Sequence, residues 1–355
     1  MRYWGVHYDT GVHFSPDALS RISFDADLVR YELTAIRHDL RANAVRIVGE
    51  DLERLRLAAN IAAELGLSVF LSPWQINASN QQLLPYLADA AALAEELRNR
   101  GVDVHFVVGC ELSLFTPGII PGAGVYDRVA WLVSLRSGGT PNPTLEQVSA
   151  GVNEMLRQQV ATVRAIFQGP LTYAAGRWEN VDWTLFEMVG LDYYKQEQTD
   201  AEYVQGLRDA ARRGKPVAVL EVGCCTYEGA DAKGGMGWTI LNEWEEGGAQ
   251  WVGGSPPIRS EATQARYLAE LFEVYLREGV DAAFAFTFTA PYHAHDPENP
   301  QRDFDMACFG ITKLYAADTP RGQAMPPWAP KEAYYALSAF FGRSEAARQQ
   351  QRATG

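Results

Sequence analysis

A short apolar run that ends on a carboxylate decides the fold: Lys215-Pro216-Val217-Ala218-Val219-Leu220-Glu221-Val222-Gly223. Gly214, directly before this stretch, and Pro216 end a helix, and the apolar residues after them predict a buried strand. The pattern occurs a second time in Val102-Asp103-Val104-His105-Phe106-Val107-Val108-Gly109-Cys110-Glu111. Parallel α/β enzymes present catalytic groups at the C-terminal tips of such strands, so we expect Glu111 and Glu221 to face each other across one site.

Strand and helix patterns alternate along the rest of the chain. The predicted strands cover 3–8, 43–49, 67–74, 102–109, 170–174, 189–194, 217–222 and 280–289. The predicted helices between them cover 25–41, 51–65, 84–101, 144–167, 182–186, 199–213 and 261–278. Eight strands in this order predict a (β/α)₈ TIM barrel rather than an open doubly wound sheet.

The barrel is predicted as one domain over residues 1–342, with a Gly- and Trp-rich insertion at 226–257 and a polar C-terminal tail at 343–355. The insertion contains Trp238, Trp244 and Trp251, and it follows the strand of Glu221. It is consistent with a loop that closes over a ligand, and equally with a contact between two copies of the chain.

Composition narrows the class of protein and of ligand. Apolar residues make up 47% of the 355 residues and charged residues 21%, which is typical of a globular protein. The net charge of -13 argues against nucleic acid and anionic membranes as partners, because both are polyanions. The sequence contains no G-x-G-x-x-G or Walker A motif between a strand and a helix, so we expect no nucleotide and no obligatory cofactor.

The cysteines and the N-terminus bear on location. Only four cysteines occur, two of them the adjacent pair Cys224-Cys225, and they form no disulfide framework. The chain enters its first strand at Tyr3 without an apolar signal region, and no apolar run has transmembrane length. These features predict a cytoplasmic protein.

The predicted strand tips bring together acids, aromatic rings and hydrogen-bond donors. They are His7, Asp9, Arg46, Trp74, Cys110, Glu111, Arg177, Trp178, Tyr193, Glu221 and the segment 287–295 with His293. Glycoside cleavage requires two carboxyl groups in opposite protonation states, and aromatic rings stack on the apolar faces of sugars. A single glutamate is as well explained by a structural salt bridge to Arg46 or Arg177 as by a catalytic role. The presence of two such glutamates favours a catalytic role.

At these positions the sequence resembles the retaining glycoside hydrolases of clan A, and the acid/base motif is loosely similar to that of mannanases. The resemblance covers residues 3 to 342 and rests on four short motifs: Val45-Arg46-Ile47, Val108-Gly109-Cys110-Glu111, Asp192-Tyr193-Tyr194 and Val219-Leu220-Glu221-Val222-Gly223. It implies a barrel with Glu111 as general acid/base and Glu221 as nucleophile, supported by Arg46 and Tyr193. It also implies a glycosyl-enzyme intermediate, which needs carboxyl groups about 5–5.5 Å apart.

Two positions depart from the clan pattern. Many members have Asn directly before the acid/base, where this chain has Cys110, and a Trp is common on strand eight, where this chain has Phe286-Thr287-Phe288-Thr289. The fold is therefore a firmer expectation than a conventional sugar. The predicted function is hydrolysis of a small neutral glycoside or oligosaccharide.

Other chemistries remain open on the sequence alone. His293 and His295, in His293-Ala294-His295-Asp296, combine with His7 and Asp9 into a hypothetical zinc or manganese site of a metal-assisted hydrolase. Barrel metallohydrolases usually have His-x-His on the first strand, whereas this chain has His7-Tyr8-Asp9 there. A barrel that only binds a small molecule, or that catalyses a cyclisation or elimination with the same carboxyl groups, is a further alternative.

Overall fold

The computed structural model describes residues 1–15, 18–136, 142–242 and 249–354. Eight parallel strands form one sheet within these residues. We label them β1 to β8 in chain order: Tyr3–Asp9, Ala44–Gly49, Ser68–Pro73, Val104–Cys110, Leu171–Ala174, Val189–Asp192, Val217–Val222 and Ala282–Ala285.

The sheet is rolled into a nearly closed barrel. Its strand order is β5-β4-β3-β2-β1-β8-β7-β6, so every chain neighbour is also a spatial neighbour. The remaining gap between β5 and β6 is bridged by a parallel pairing of Ala175 with Leu191. The predicted (β/α)₈ fold is therefore confirmed.

Ten α-helices surround the barrel or lie in its loops within the described residues. We label them α1 to α10: Ala26–Thr34, Leu52–Glu64, Asn80–Asn99, Leu112–Phe115, Val125–Arg136, Leu145–Arg164, Asp200–Ala211, Ala230–Lys233, Glu261–Arg277 and Glu332–Thr354. A π-helical turn, Ala35–Asp39, extends α1. Three helices begin with a reciprocal capping box, in which Ser79, Thr144 and Thr199 are the N-cap residues.

Short elements complete the described chain. Three two-stranded antiparallel ladders pair His13–Ser15 with Ala18–Leu19, Leu241–Asn242 with Gln250–Trp251, and Thr312–Leu314 with Trp328–Pro330. Single 3₁₀ segments lie at Trp183–Leu185, Gly234–Ile240, Pro300–Arg302 and Phe304–Ala307. No described helix has both the length and the apolar character to cross a bilayer.

The structure differs from the sequence patterns in four features of the helices. Helix α5 lies in a segment predicted as loop, and α3 begins at Asn80 rather than at residue 84 because Ser79 caps it. The predicted helix at 182–186 is only the 3₁₀ turn Trp183–Leu185. The polar tail from residue 343 continues α10 to Thr354. In the insertion, residues 243–248, including Trp244, lie outside the described residues.

The barrel interior is filled at the N-terminal end by aromatic side chains. His105 stacks on Phe70 with ring centroids 4.3 Å apart, and Tyr3 and Phe284 pack edge-on against Phe70. Arg46 pairs in register with Phe70 on the next strand and with His7 on the previous one, and it is fully buried. Arg46 thus places a buried positive charge within the barrel.

The two strands that carry the glutamates are irregular near their tips. On β4, Val107 and Cys110 pair with Thr172 and Ala174 of β5, so three steps on β4 face two on β5. On β7, two residues, Leu220 and Glu221, lie opposite Asp192 alone. One extra residue in a strand reverses the side-chain alternation beyond it, and such bulges often re-aim side chains at active sites.

Candidate active site

Glu221 lies at the end of β7 with both carboxylate oxygens engaged. Arg46 donates from Nη1 to Oε1 at 2.9 Å, and the hydroxyl of Tyr194 donates to Oε2 at 3.0 Å. The Glu221 side chain is only 10% exposed. A buried carboxylate with a guanidinium and a phenol as hydrogen-bond partners is held in one orientation.

Arg46 is anchored from several directions. Its Nη1 also donates to the carbonyl of Leu220 at 3.2 Å, and its Nη2 donates to Ser72 Oγ at 3.3 Å. The same Nη1 lies 3.7 Å from Asp192 Oδ1. A fully buried guanidinium fixed in this way supplies a permanent positive charge beneath the cleft.

Glu111 follows β4 in a left-handed conformation, with φ of 39° and ψ of 53°. Its amide donates to the carbonyl of Ala174 at 2.8 Å, which fixes the turn to the neighbouring strand. A non-glycine residue at positive φ is strained, and strain of this kind clusters at functional sites.

The environment of Glu111 favours the protonated acid. Burial, together with the nearby negative charges of Asp192 and Glu221, holds its pKa well above the usual range of a glutamate. Glu111 therefore keeps a proton at a pH at which an exposed glutamate has lost it. The two predicted catalytic carboxyls thus lie in unequal environments, as a division between acid and nucleophile requires.

Glu179 organises the turn behind Glu111. Its carboxylate accepts hydrogen bonds from the amide and hydroxyl of Ser113, from the Tyr173 hydroxyl and from the Gly176 amide. Tyr173 in turn accepts from the amide of Leu112 at 2.7 Å. The residues directly after Glu111 are thereby tied to the loop that follows β5.

Asp192 and Cys110 form the rest of the floor. The Cys110 thiol donates to Asp192 Oδ2 at 3.2 Å and lies 3.8 Å from Glu221 Oε1. Asp192 Oδ1 is buried and has no hydrogen-bond partner among the described residues. Burial and the charge of Glu221 hold the Asp192 pKa well above its usual range, and burial raises the pKa of the thiol in the same way.

His7 lies beneath Glu221, with Nδ1 3.7 Å from Glu221 Oε1. Its ring packs edge-on against Phe286 at 4.7 Å. Burial and the charge of Arg46 lower the His7 pKa well below its usual range, so the ring stays neutral. His7 therefore adds no positive charge next to the carboxylate.

A cleft of about 330 Å³ opens above these groups. Glu111, Cys110, Asp192 and Glu221 form its floor. Ten aromatic side chains line it: Phe14, Trp74, Phe115, Tyr126, Trp178, Tyr194, Trp238, Phe286, Tyr292 and Phe309. Carboxyl groups beneath aromatic walls are an arrangement suited to a sugar ring.

Six of the ten binding residues predicted from the sequence line this cleft: Trp74, Cys110, Arg177, Trp178, Trp238 and His293. Arg46 and His7 lie below Glu221 rather than in the cleft wall. Asp9 does not line the cleft, because its carboxylate accepts from the amide of Gly11 at 2.7 Å and holds its own loop.

Tyr193 does not occupy the place expected of it. Its hydroxyl donates to the carbonyl of Tyr203 at 2.9 Å, on the outer side of the barrel, and Tyr194 contacts Glu221 instead. The reason is strand alternation: Asp192 points inward, so Tyr193 points outward and Tyr194 inward again.

The residues of the hypothetical metal site are not brought together. His295 bonds to Asp303 at 2.8 Å, whereas His7 lies at Glu221 and Asp9 in its own loop. Within the described chain, two groups have metal-ligand spacing: Cys110 with Asp192 and Glu221, and His295 with Asp303 and Asp305. Each group is already paired with basic side chains: Arg46 pairs with Glu221, and Arg259 and Lys331 pair with Asp305.

Sequence reasoning missed Asp192, Tyr194, Glu179 and the residues of α5 as parts of the site. The signals for the first two were present, since Asp192 ends a predicted strand and a tyrosine pair follows it. To decide which of Tyr193 and Tyr194 points into the barrel, one must know how the side chains of β6 alternate relative to the bulged strand β7. Nothing in the sequence around Glu179 or α5 points to the cleft.

No family model and no curated protein matches the sequence. Solved structures do match it over nearly its whole length. A complex of a GH113 β-1,4-mannanase superimposes with a TM-score of 0.60 at 16% identity, covering 96% of this chain and 99% of that one. The GH113 β-mannanase of Alicyclobacillus acidocaldarius, in complex with ManMIm, gives a TM-score of 0.57 at 16% identity, covering 97% and 98%.

The apo structure of a β-glucosidase, 1317, is also similar, with a TM-score of 0.56 at 11% identity and 97% and 98% coverage. At these identities the likeness concerns the fold, and the structural neighbours are glycoside hydrolases. The expected resemblance is confirmed at that level: the chain folds as the (β/α)₈ barrel that clan A glycosidases share.

Proposed function

We propose that this protein is a retaining glycoside hydrolase acting on a small neutral glycoside or oligosaccharide. The observation that carries the proposal is the Glu221 carboxylate, held on both oxygens by Arg46 and Tyr194 at the floor of a cleft that also contains Glu111. The structural neighbours support it independently, because they are glycosidases whose chains are matched over nearly their whole length.

In the first step, Glu221 attacks the anomeric carbon of the bound sugar, and the bond to the leaving oxygen breaks. Glu111 gives its proton to that oxygen, so that the leaving group departs as a neutral alcohol. The raised pKa of Glu111 keeps this proton available, and Arg46 with Tyr194 holds the Glu221 carboxylate in place at the cleft floor.

In the second step, water replaces the enzyme at the anomeric carbon. Glu111, now ionised, takes a proton from the water, and the bond from carbon to Glu221 breaks. The sugar is released with its original anomeric configuration, and both carboxyl groups return to their starting states.

The test compares Glu221→Ala with Glu154→Ala as control, using aryl β-glucosides and β-mannosides. Glu154 lies on the outer helix α6 and pairs with Arg157 at the surface. We expect Glu221→Ala to lose turnover by at least about 10⁴-fold, the range seen when a catalytic nucleophile is removed. Azide should restore turnover to it as a glycosyl azide, while Glu154→Ala remains as active as the wild type.

Unchanged activity of both Glu111→Gln and Glu221→Gln would eliminate the proposal. Release of a product other than a reducing sugar would instead favour a barrel that performs a cyclisation or elimination.

A further inference from the structure

The cleft has a polar floor and an apolar outer wall. The acids and the thiol lie at the floor, as described above. Besides the ten aromatic side chains, five non-aromatic apolar side chains from the loops after β4 and β7 line the cleft, and we call these five the aliphatic wall: Leu114, Val125, Val129, Leu132 and Met236.

Helix α5 supplies most of this wall. Val125, Val129 and Leu132 are spaced by four and three residues, so they lie on one face of the helix, and all three line the cleft. Tyr126 of the same helix also lines the cleft and packs against Trp238 across it. The helix therefore turns an aliphatic stripe toward the catalytic floor.

An aliphatic wall discriminates between possible leaving groups. Each sugar hydroxyl that leaves water needs a hydrogen-bond partner, and aliphatic side chains offer none. An apolar leaving group needs no such partners and gains from burial. The volume of about 330 Å³ is near the lower end of the range for pockets that hold one small ligand, about 300–1,000 Å³.

We propose that the substrate is a monosaccharide glycoside with an apolar aglycone, and that the stripe Val125, Val129 and Leu132 of α5 binds the aglycone. The inference rests on the proposed glycosidase activity of the floor. It chooses the small glycoside over the oligosaccharide, which the sequence left open.

The first experiment measures kcat/KM for methyl, butyl and hexyl glycosides of the glycone that the enzyme turns over, together with a disaccharide of the same glycone. The alcohols released from the alkyl series have similar acidity, so differences in kcat/KM within the series report the contact of the alkyl chain with the wall. Each buried methylene should raise kcat/KM about three- to fourfold. A disaccharide preferred over the hexyl glycoside would overturn the inference and leave the glycosidase proposal intact.

The second experiment places a polar side chain in the stripe. In Val129→Asn the ratio of kcat/KM for the hexyl glycoside to kcat/KM for the methyl glycoside should fall by about tenfold or more. Ala130→Asn is the matched control, since Ala130 is exposed on the same helix and lies outside the cleft lining. Thermal unfolding of both variants verifies that the helix is intact. An equal gain with chain length in both variants would contradict the assignment of the wall.

The glycosidase proposal and the assignment of the aliphatic wall can be rejected independently of each other. If no glycoside is hydrolysed, calorimetric titration of hexyl and methyl β-glucoside and β-mannoside against the wild type and Val129→Asn still tests the wall. Tighter binding of the hexyl compounds that Val129→Asn abolishes would support the wall and reject the hydrolase. Equal binding of hexyl and methyl compounds would reject the wall.

Discussion

At the scale of single residues, the chemistry depends on which of three carboxyl groups, those of Glu111, Asp192 and Glu221, is bonded to the Arg46 guanidinium. Arg46 is the only guanidinium or amine bonded to the floor in the described structure, and it lies 2.9 Å from Glu221 but 3.7 Å from Asp192. Glu111 has no cation bonded to it there. The cation is thus bonded to one carboxyl group, and burial favours protons on the other two.

The tyrosine pair gives a matched test of this arrangement. Tyr194→Phe removes a hydrogen bond to a buried anion, worth about 1.5–3 kcal/mol, so kcat should fall about ten- to a hundredfold. Tyr193→Phe removes only the bond to the Tyr203 carbonyl, so kcat should stay near the wild-type value, at a cost in unfolding free energy of about 1 kcal/mol. Steady-state kinetics measures kcat and urea denaturation measures the unfolding free energy. A larger loss of kcat in Tyr193→Phe than in Tyr194→Phe would contradict the geometry.

The raised pKa of Glu111 predicts a pH dependence of stability. A carboxyl group whose pKa is higher in the folded than in the unfolded state contributes fully below its unfolded pKa, about 4.3, and loses that contribution as pH rises through the folded value. Glu111→Gln does not titrate. Its unfolding free energy should therefore rise relative to that of the wild type as the pH increases from about 4 to about 8, by up to about 1.4 kcal/mol for each pH unit.

Urea denaturation of both proteins across this range measures the difference. A difference independent of pH would show that Glu111 has an ordinary pKa. In that case Glu111 would lose its suitability as the acid.

The residue types at the site were largely accessible from the sequence, but their exact roles were not. Glu111, Glu221 and Arg46 end or lie on recognisable buried strands, which is a local property. Tyr194 was missed in favour of Tyr193 because one residue of offset decides which side chain points inward. Asp192 was visible at a strand end, but its contact with Cys110 depends on long-range pairing.

At the scale of elements, bulges on β4 and β7 bring the glutamate-bearing strand tips into the site. Regular alternation from Leu220, which packs inside the barrel, would point Glu221 outward. A bulge depends on the neighbouring strand as much as on its own sequence, so its position is not readable from the apolar run. The same holds for α5, whose aliphatic stripe resembles that of any helix packed on a core.

The segment after β4 depends on Glu179, which predicts a linked loss of stability and activity. Glu179→Ala leaves the donors of Ser113, Tyr173 and Gly176 without their acceptor, so the unfolding free energy should fall by at least about 2 kcal/mol. Because the same bonds fix the residues after Glu111, kcat should fall more than KM changes. Urea denaturation and kinetics test both effects, with Glu154→Ala as the surface control. Reduced stability with unchanged kcat would show that the turn does not position Glu111.

At the scale of the whole molecule, the strand and helix order alone led to the barrel, since eight alternating units have few compact arrangements. The C-terminal helix α10 completes the outer layer against α9. Phe340 and Phe341 are buried beside Phe272, with ring centroids 5.6 and 5.4 Å away. The polar residues beyond Gly342 continue the helix without comparable buried aromatics among the described side chains.

Two truncated chains test separately how the polar end of α10 beyond Gly342 and the segment with Phe340 and Phe341 contribute to stability. A chain that stops after Gly342 should unfold close to the wild-type temperature, because it keeps both phenylalanines. A chain that stops after Tyr335 loses both, at about 3–5 kcal/mol each, which is comparable with the total stability of a typical domain, about 5–15 kcal/mol. Thermal unfolding followed by circular dichroism should show no cooperative transition for the shorter chain. A cooperative transition in the shorter chain would show that the part of α10 beyond Tyr335 is dispensable to the barrel.

The proposed mechanism depends above all on a covalent bond between Glu221 and the sugar. This bond is detected most directly by incubating the enzyme with activated 2-deoxy-2-fluoro β-glucoside and β-mannoside, which slow the second step, and mapping the labelled peptide by mass spectrometry. We expect one added glycosyl group per chain, located on Glu221 and absent from Glu221→Gln. A label on any other residue, or hydrolysis of unmodified substrate with inverted anomeric configuration, would contradict the mechanism.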